Sequence, residues 1–225
     1  MALDEKLAGL IKEDAWFQSH QAAVEILEQP NGTIASDKVP LYNLQSLLAN
    51  MCNYGAKTWS YEPGTPTNPD SVLSKKLLVT DCKSLAEIYL LIVQHLDAHL
   101  EGNFKFNDAR LRKIEKPGYR IVTSPHLFAF NNRIGSADLE GRWCFGDHYV
   151  VECQGQCYDP TFKVTSFQFA APPHIAWYAK EDRASPAALK TKIKTAWIDT
   201  TGKNKTIFMK IPSGDYTFNA KDPMV

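Results

Sequence analysis

The sequence predicts an α+β fold, on the evidence of its composition and of a change in hydrophobic periodicity along the chain. Of the 225 residues, 44% are hydrophobic and 22% are charged, which is typical of a globular protein with a sizeable core. Apolar residues recur at three- and four-residue intervals in the first part of the chain, as in amphipathic helices. Beyond about residue 103, short β-rich segments bounded by Gly, Pro or Asn replace them. Helices followed by antiparallel strands indicate a single α+β domain.

Three helices are predicted in the first half of the chain. The first covers residues 3–29, where regularly spaced apolar side chains end at a Pro-Asn-Gly stop. The second covers about 41–51, and a proline-rich loop follows at 61–70. The third begins at or just after Asp81-Cys82, and its apolar face comprises Leu85, Ala86, Tyr89, Ile92, Val93 and Leu96.

Short strands are predicted in the second half. The segments are 119–123, 148–153, 157–159, 195–200, 206–211 and 216–218. The tail also carries lysines, which form either a patch for an anionic partner or a solvated strand face protected against edge pairing, and we favour the second interpretation. These lysines are Lys190, Lys192, Lys194, Lys203, Lys205 and Lys210.

Charge balance and apolar runs limit the classes of partner. With 25 basic and 25 acidic residues, the formal net charge is zero, which argues against a nucleic-acid binder. The first residues contain no apolar signal-peptide core, and the longest apolar stretch, 85–93, is far shorter than the ~20 residues of a membrane span. We therefore expect a protein made in the cytosol without a membrane span, with leaderless export left open. No oligomeric state is indicated.

One cysteine is placed to act as a nucleophile. Five cysteines are an odd number for a disulfide framework, so we expect free thiols. Cys82 lies at a predicted helix N-terminus, where backbone N–H groups and the helix dipole favour a thiolate and can bind an oxyanion. Ser84 and Glu87 have the spacing of a capping box, so the helix could also begin about one turn later. The alternative for Cys82 is a packing role as a small buried hydrophobe.

A predicted β-hairpin would bring a histidine, His148, close to a carboxylate, Asp159. If Gln154 and Gly155 form a two-residue turn, Val150 lies opposite Asp159, and His148 is diagonal to Asp159 on the same face. A one-residue change of register would place His148 and Asp159 on opposite faces. The alternative is a surface histidine and a turn aspartate before a proline.

The other histidines give weaker signals. His95 and His99 lie four residues apart on the predicted third helix, a spacing that suits a metal, yet no carboxylate or third ligand is evident near them. His20, His126 and His174 have no informative neighbours in the sequence.

Zinc binding is disfavoured at the cluster Cys144, His148, Cys153 and Cys157. Structural zinc sites usually pair their ligands two to four residues apart, whereas His148 and Cys153 would point to opposite faces of one strand. We expect no metal and no cofactor.

Three motifs resemble those of a known superfamily. Asp81-Cys82-Lys-Ser-Leu-Ala86, Asp147-His148-Tyr-Val-Val-Glu152 and Tyr158-Asp159-Pro160-Thr161 are similar, in content and order, to the cysteine, histidine and aspartate motifs of the transglutaminase-like superfamily, within the papain-like thiol enzymes. The resemblance covers about 71–167 and implies a papain-like core, with a nucleophile helix packed on an antiparallel sheet. It implies Cys82 as nucleophile, His148 as general base and then acid, and Asp159 as the orienting carboxylate.

The chain departs from the family pattern in two places. Tyr149 stands where many members have a tryptophan, and the segment between Cys82 and His148 is long. The side chain that completes the oxyanion hole is not identified by a motif. Three residues upstream of Cys82 are candidates for this side chain, namely Trp59, Gln45 and Asn68. We favour Trp59.

These inferences predict a cysteine-dependent acyl-transfer enzyme that acts on a protein or peptide amide through a thioester. Hydrolysis is favoured, by a protein-glutamine deamidase or a cysteine peptidase, and a bacterial effector fits the size and the missing leader. The alternatives are a transglutaminase that joins Gln to Lys, and a non-catalytic protein-binding module. The single domain would comprise a helical extension at 1–60, the core at 71–167 and a C-terminal β segment at 190–225.

Overall fold

The fold combines helices with antiparallel sheet, as predicted. A computed structural model describes residues 3–28, 40–61, 66–99, 106–115, 120–123, 131–132, 144–178, 195–199, 205–211 and 214–220. The helices of this part of the chain precede most of its strands, so the predicted α+β class is confirmed.

The N-terminal segment is three short helices and not the single helix predicted over 3–29. These are α1 (Leu3–Glu13), α2 (Ala15–Ser19) and α3 (Gln21–Leu27). Asp14 interrupts the run because its backbone is extended and its side chain accepts hydrogen bonds from Trp16 N and Phe17 N, which starts a new helix. His20 makes the second break with a non-helical backbone. The predicted Pro-Asn-Gly stop lies outside the described residues.

Helices α4 (Pro40–Thr58) and α5 (Pro69–Leu73) follow. The first is a turn or more longer than predicted. The second begins inside the predicted loop, because Asn68 Oδ1 accepts hydrogen bonds from Asp70 N and Ser71 N and proline occupies the first turn.

A small parallel sheet precedes the long helix α6 (Cys82–His99). Strands β1 (Ser60–Tyr61) and β2 (Val79–Thr80) pair in parallel, with Tyr61 opposite Thr80, and β5 (Asn131–Asn132) pairs with the other edge of β1. All six residues predicted for the apolar face of α6 are buried. The helix packs on the main sheet, and Tyr89 Oη donates a hydrogen bond to Leu44 O at 2.8 Å, which joins α6 to α4.

The main sheet is antiparallel, with strand order β3-β7-β8-β9. Its strands are β3 (Arg110–Ile114), β7 (His148–Cys153), β8 (Gln156–Asp159) and β9 (Val164–Phe167). Strand β3 was not predicted, because its sequence is mostly charged. In the sheet Arg110 faces Glu152 across the strands, and Arg112 also pairs with Glu152, so the charges compensate each other.

The β7–β8 hairpin has the predicted turn. Gln154 and Gly155 both have positive φ, of 51° and 71°, as a tight two-residue turn between twisted strands requires. Val151 pairs with Tyr158, and the same register continued by one step places Val150 opposite Asp159. The geometric condition for the His148–Asp159 pair is therefore met.

The remaining strands form two further antiparallel sheets. Strand β4 (Arg120–Thr123) lies between β6 (Cys144–Phe145) and β10 (Ile175–Tyr178). The tail forms β11 (Thr195–Asp199), β12 (Lys205–Ile211) and β13 (Gly214–Ala220), in line with the three predicted tail segments. Lys205 and Lys210 lie in β12, and the other four lysines of the tail lie outside the described residues.

None of the helices in the described part of the chain combines the length and the apolar character that crossing a membrane demands.

Two glycine substitutions should change stability in opposite directions. Gly155→Ala puts a side chain at φ 71°, with no atom within 4 Å of the new Cβ, so the backbone strain alone should lower the free energy of unfolding by about 1 kcal/mol. Gly9→Ala, inside α1 and equally open, should raise it by up to about 1 kcal/mol. Urea unfolding of both variants measures the difference, and equal effects would contradict the turn geometry.

Candidate active site

The start of α6 is fixed by its cap residue. Asp81 O accepts the first helical hydrogen bond, from Leu85 N, and Asp81 Oδ1 accepts from Ser84 N at 2.8 Å. The helix therefore begins at Cys82, not one turn later as the capping-box spacing allowed. Because Ser84 N is satisfied by the cap, the N–H groups of Cys82 and Lys83 are the ones available to an oxyanion in front of the helix.

The loop before α5 is attached to this helix start. Ser84 Oγ accepts a hydrogen bond from Thr67 N at 2.9 Å and lies 2.8 Å from Asp81 Oδ1, to which it donates. Thr67 Oγ1 donates to Val79 O in β2. These contacts hold the chain around Cys82 from two sides, and its side chain is left 8% exposed.

His148 and Asp159 meet at the open end of the hairpin. Nε2 of His148 lies 2.6 Å from Oδ2 of Asp159, and both side chains are fully buried. His148 is the first residue of β7 and Asp159 the last of β8, so the hairpin register brings their side chains together. The structure thus places the predicted pair in direct contact.

Asp159 is surrounded by donors. Its Oδ1 accepts from Thr161 N at 2.9 Å and Phe162 N at 3.2 Å, and its Oδ2 contacts the Nε2 atoms of His148 and His174. Burial alone would raise the pKa of Asp159, but the positive charge and hydrogen bonds of the two histidines outweigh it and hold the pKa well below the usual range. The carboxylate is ionised at neutral pH.

His174 is a site residue that the sequence analysis missed. Its Nε2 lies 2.7 Å from Asp159 Oδ2, and its ring is 2% exposed between Phe162 and Phe167. It follows a Pro-Pro pair in a turn before β10, fifteen positions after Asp159. No local pattern marks such a contact, because it depends on how the chain folds back after β9.

The Cys82 side chain contacts the same cluster through His148. Burial lowers the pKa of His148, but the Asp159 charge and hydrogen bond, together with hydrogen bonding and charge from Cys82, raise it to about 10. Since Nε2 contacts Asp159, Nδ1 is the ring nitrogen that remains for an interaction with the thiol. The structure therefore brings Cys82, His148 and Asp159, the three predicted catalytic residues, into one connected chain of polar groups.

Tyr61 is a second neighbour of Cys82 that was not predicted. It is fully buried, and burial, with the charges of Cys82 and Asp81 and a hydrogen bond to Cys82, raises its pKa well above the usual value. The parallel pairing of β1 with β2 explains the contact, because it sets Tyr61 opposite Thr80, two residues before Cys82.

The three oxyanion candidates occupy different places. Trp59 is buried next to β1, with its ring edge-on to Tyr54 at 5.3 Å. Gln45 Nε2 donates to Ser166 Oγ in β9, and Asn68 caps α5. Gln45 and Asn68 thus have structural roles elsewhere. Trp59 lies two residues from Tyr61, which interacts with Cys82.

Among the cysteines whose side chains the structure describes, those other than Cys82 are buried in packed surroundings. Cys52 Sγ donates to Pro160 O, and Cys153 Sγ donates to Asp108 Oδ1. Burial, helped for Cys153 by Asp108, raises the pKa of Cys153 to about 12 and that of Cys157 to about 11. The cysteines with described side chains, Cys82 among them, are free thiols.

The interatomic distances around His148 and Cys153 are those of hydrogen bonds and not of metal ligands. Cys153 bonds to Asp108 and His148 to Asp159, so the zinc set considered from the sequence is split between two partners. His148, Asp159 and His174 do converge, but their contacts of 2.6 and 2.7 Å are hydrogen bonds. Ligands of a tetrahedral Zn²⁺ at ~2.0–2.1 Å would stand about 3.3 Å apart.

Comparison with known proteins gives no relative: no protein-family model, curated protein or solved structure matches this chain.

Asp159→Asn should destabilise the protein in a pH-dependent way. Because the folded pKa of His148 is about 10 against an ordinary 6.5, and the pKa of Asp159 lies below its ordinary 3.8, the pair contributes fully between about pH 4 and pH 6.5, and the contribution is lost as pH rises toward 10. Breaking a buried ion pair costs about 3 kcal/mol, so we expect that loss at pH 6.5 and a loss smaller by at least about 1 kcal/mol at pH 8.5. Denaturant unfolding at both pH values measures it.

The matched control is Glu87→Gln, the same chemical change in the exposed pair Lys83–Glu87. It should cost less than about 1 kcal/mol at both pH values. A pH-independent loss in Asp159→Asn would mean that His148 is not held as an imidazolium by this carboxylate.

Proposed function

We propose that this protein is a cysteine-dependent hydrolase of amide bonds in proteins or peptides, working through a Cys82 thioester. The observation that carries the proposal is the position of His148: its Nε2 contacts a buried carboxylate, and the same side chain interacts with a thiol at a helix N-terminus. A residue pair that served packing alone would not need an ionised carboxylate with four donors.

The first half of the reaction forms the thioester. The Cys82 proton resides on His148, and the sulfur attacks the amide carbonyl carbon, so that a C–S bond forms and the carbonyl electrons move to oxygen. The N–H groups of Cys82 and Lys83 stabilise the oxyanion, with Trp59 or Tyr61 as the adjacent side-chain donor. The C–N bond then breaks, and His148 gives its proton to the departing ammonia or amine.

The second half releases the product. Neutral His148 takes a proton from water, whose oxygen attacks the thioester carbonyl. The C–S bond breaks, the sulfur leaves as thiolate, and the acid is released. Departure of ammonia from a glutamine side chain makes the enzyme a deamidase, and departure of a peptide amine makes it a peptidase.

Asp159 and His174 are positioning residues in this scheme. Asp159 fixes the His148 ring with Nδ1 toward the thiol and stabilises the imidazolium. His174 donates to the same carboxylate oxygen and so keeps Asp159 from rotating away when His148 changes its protonation state. Neither residue touches the substrate.

Cys82 should react with iodoacetamide at pH 6 much faster than the other thiols. The imidazolium of His148 favours a thiolate at Cys82, whereas burial raises the pKa of Cys153 and Cys157 well above the pH. We expect at least tenfold faster labelling of Cys82, measured by peptide mass spectrometry. In His148→Ala the labelling of Cys82 at pH 6 should slow at least tenfold, because the positively charged neighbour is removed.

His99→Gln is the control, because His99 lies at the other end of α6 from Cys82. It should leave the labelling profile unchanged. Labelling of Cys82 no faster than that of a model thiol would remove the main support for catalysis.

The type of reaction can be read from protein mass. Candidate proteins are incubated with wild type and with Cys82→Ala, which removes the thiol but leaves a small apolar side chain at this buried position. A gain of about 1 Da per site indicates deamidation, fragments indicate peptidase activity, and both support the proposal. Cross-linked products would show that the reaction is transglutamination and not hydrolysis. A candidate protein that binds but does not change in mass would indicate a non-catalytic module.

A further inference from the structure

A second histidine–carboxylate cluster lies at the far end of α6, where it contacts the α1–α2 junction. Asp14 Oδ1 is 3.0 Å from His95 Nε2, and Asp14 Oδ2 is 3.4 Å from His99 Nε2. The three side chains are 17%, 16% and 40% exposed, so solvent reaches them. We call these residues the Asp14 cluster; nothing in the proposed reaction uses it.

The two imidazole rings are held in place before any ligand binds. The ring of His95 stacks on Trp16 at 4.3 Å and 20°, and the tilted ring of His99 packs against it at 4.3 Å and 31°. Nδ1 of His99 lies 2.9 Å from His95 O, to which it donates. A backbone carbonyl that takes one ring N–H leaves the other nitrogen as a lone-pair donor, which is the usual support of a metal-binding histidine.

The carboxylate is held equally well. Asp14 Oδ1 accepts from Trp16 N at 2.8 Å and Phe17 N at 3.3 Å as the cap of α2, while Oδ2 faces His99. With Nδ1–H on the carbonyl, Nε2 is the ring nitrogen of His99 that faces this carboxylate oxygen. An imidazole nitrogen and a carboxylate oxygen, each held by backbone contacts, therefore converge on one point.

The distances differ between the Asp14 cluster and the contacts at Asp159. The contacts at Asp159 are short hydrogen bonds of 2.6 and 2.7 Å. At Asp14 the hydrogen bond to His95 is 3.0 Å and the contact with His99 is 3.4 Å, which is close to the separation of about 3.3 Å between ligands of a tetrahedral Zn²⁺. Two imidazole nitrogens and one carboxylate oxygen are ligands that Zn²⁺ and similar divalent metals accept.

We propose that Asp14, His95 and His99 form a surface site for a divalent transition metal of the Zn²⁺ type, with water completing the coordination. The metal ties the α1–α2 junction to α6. Its binding does not depend on the reaction proposed for Cys82, which begins at the opposite end of the same helix.

The test is a Co²⁺ titration of the full chain after treatment with a chelator, followed by displacement with Zn²⁺. Wild type should bind one Co²⁺ with visible d–d bands and no thiolate charge-transfer band. His99→Gln should bind at least tenfold more weakly. Cys82→Ala should bind as wild type does, which separates this site from the thiol.

Asp14→Asn keeps the helix cap, because asparagine is as good a cap residue as aspartate, and removes the charged ligand. It should lose metal affinity while its melting temperature without metal stays within a few degrees of wild type. Zn²⁺ should raise the melting temperature of wild type and leave both variants unchanged. Absence of Co²⁺ binding in wild type, equal binding in His99→Gln, or loss of binding in Cys82→Ala would each overturn the proposal.

Discussion

The carboxylate of Asp159 must stay charged in a place that water does not reach, and the surrounding structure follows from that requirement. Two backbone N–H groups after Pro160 and two imidazoles replace its hydration shell. To supply them the chain needs the β7–β8 hairpin in one register, the turn at 160–163 and a return path that brings in His174. Removal of any donor would leave part of the charge unsolvated, so these elements are coupled energetically.

Helix α6 runs from the thiol that interacts with His148 to the Asp14 cluster. Its first residue is Cys82, its last two turns carry His95 and His99, and its apolar face is buried against the main sheet between them. The helix is therefore a rigid spacer that keeps the Asp14 cluster away from the thiol. The reaction proposed for the thiol and the metal binding proposed for the Asp14 cluster can therefore be tested independently.

Local patterns in the sequence were sufficient for α6 and for the hairpin. The period of Leu85, Tyr89 and Ile92 sets the buried face, and the Gln154-Gly155 turn sets the register that joins His148 to Asp159. The contacts of His174, Tyr61 and Asp14 could not be predicted in this way, because each joins segments far apart in sequence. The sequence showed no carboxylate near His95 and His99. The structure brings Asp14 to them, and Asp14 lies 81 positions from His95 in the sequence. Strand β3 was missed for another reason, since its charges are compensated only by Glu152 across the sheet.

The complete burial of Asp159 and His148 also decides how the pair responds to dissolved salt. Counterions screen charges only where they can approach, with a Debye length of about 8 Å at physiological ionic strength. The exposed pair Lys83–Glu87 is open to such screening, whereas no mobile ion reaches a pair whose side chains are 0% exposed. The electrostatic coupling between these two side chains therefore changes far less between dilute buffer and concentrated salt than the coupling of the surface pair does.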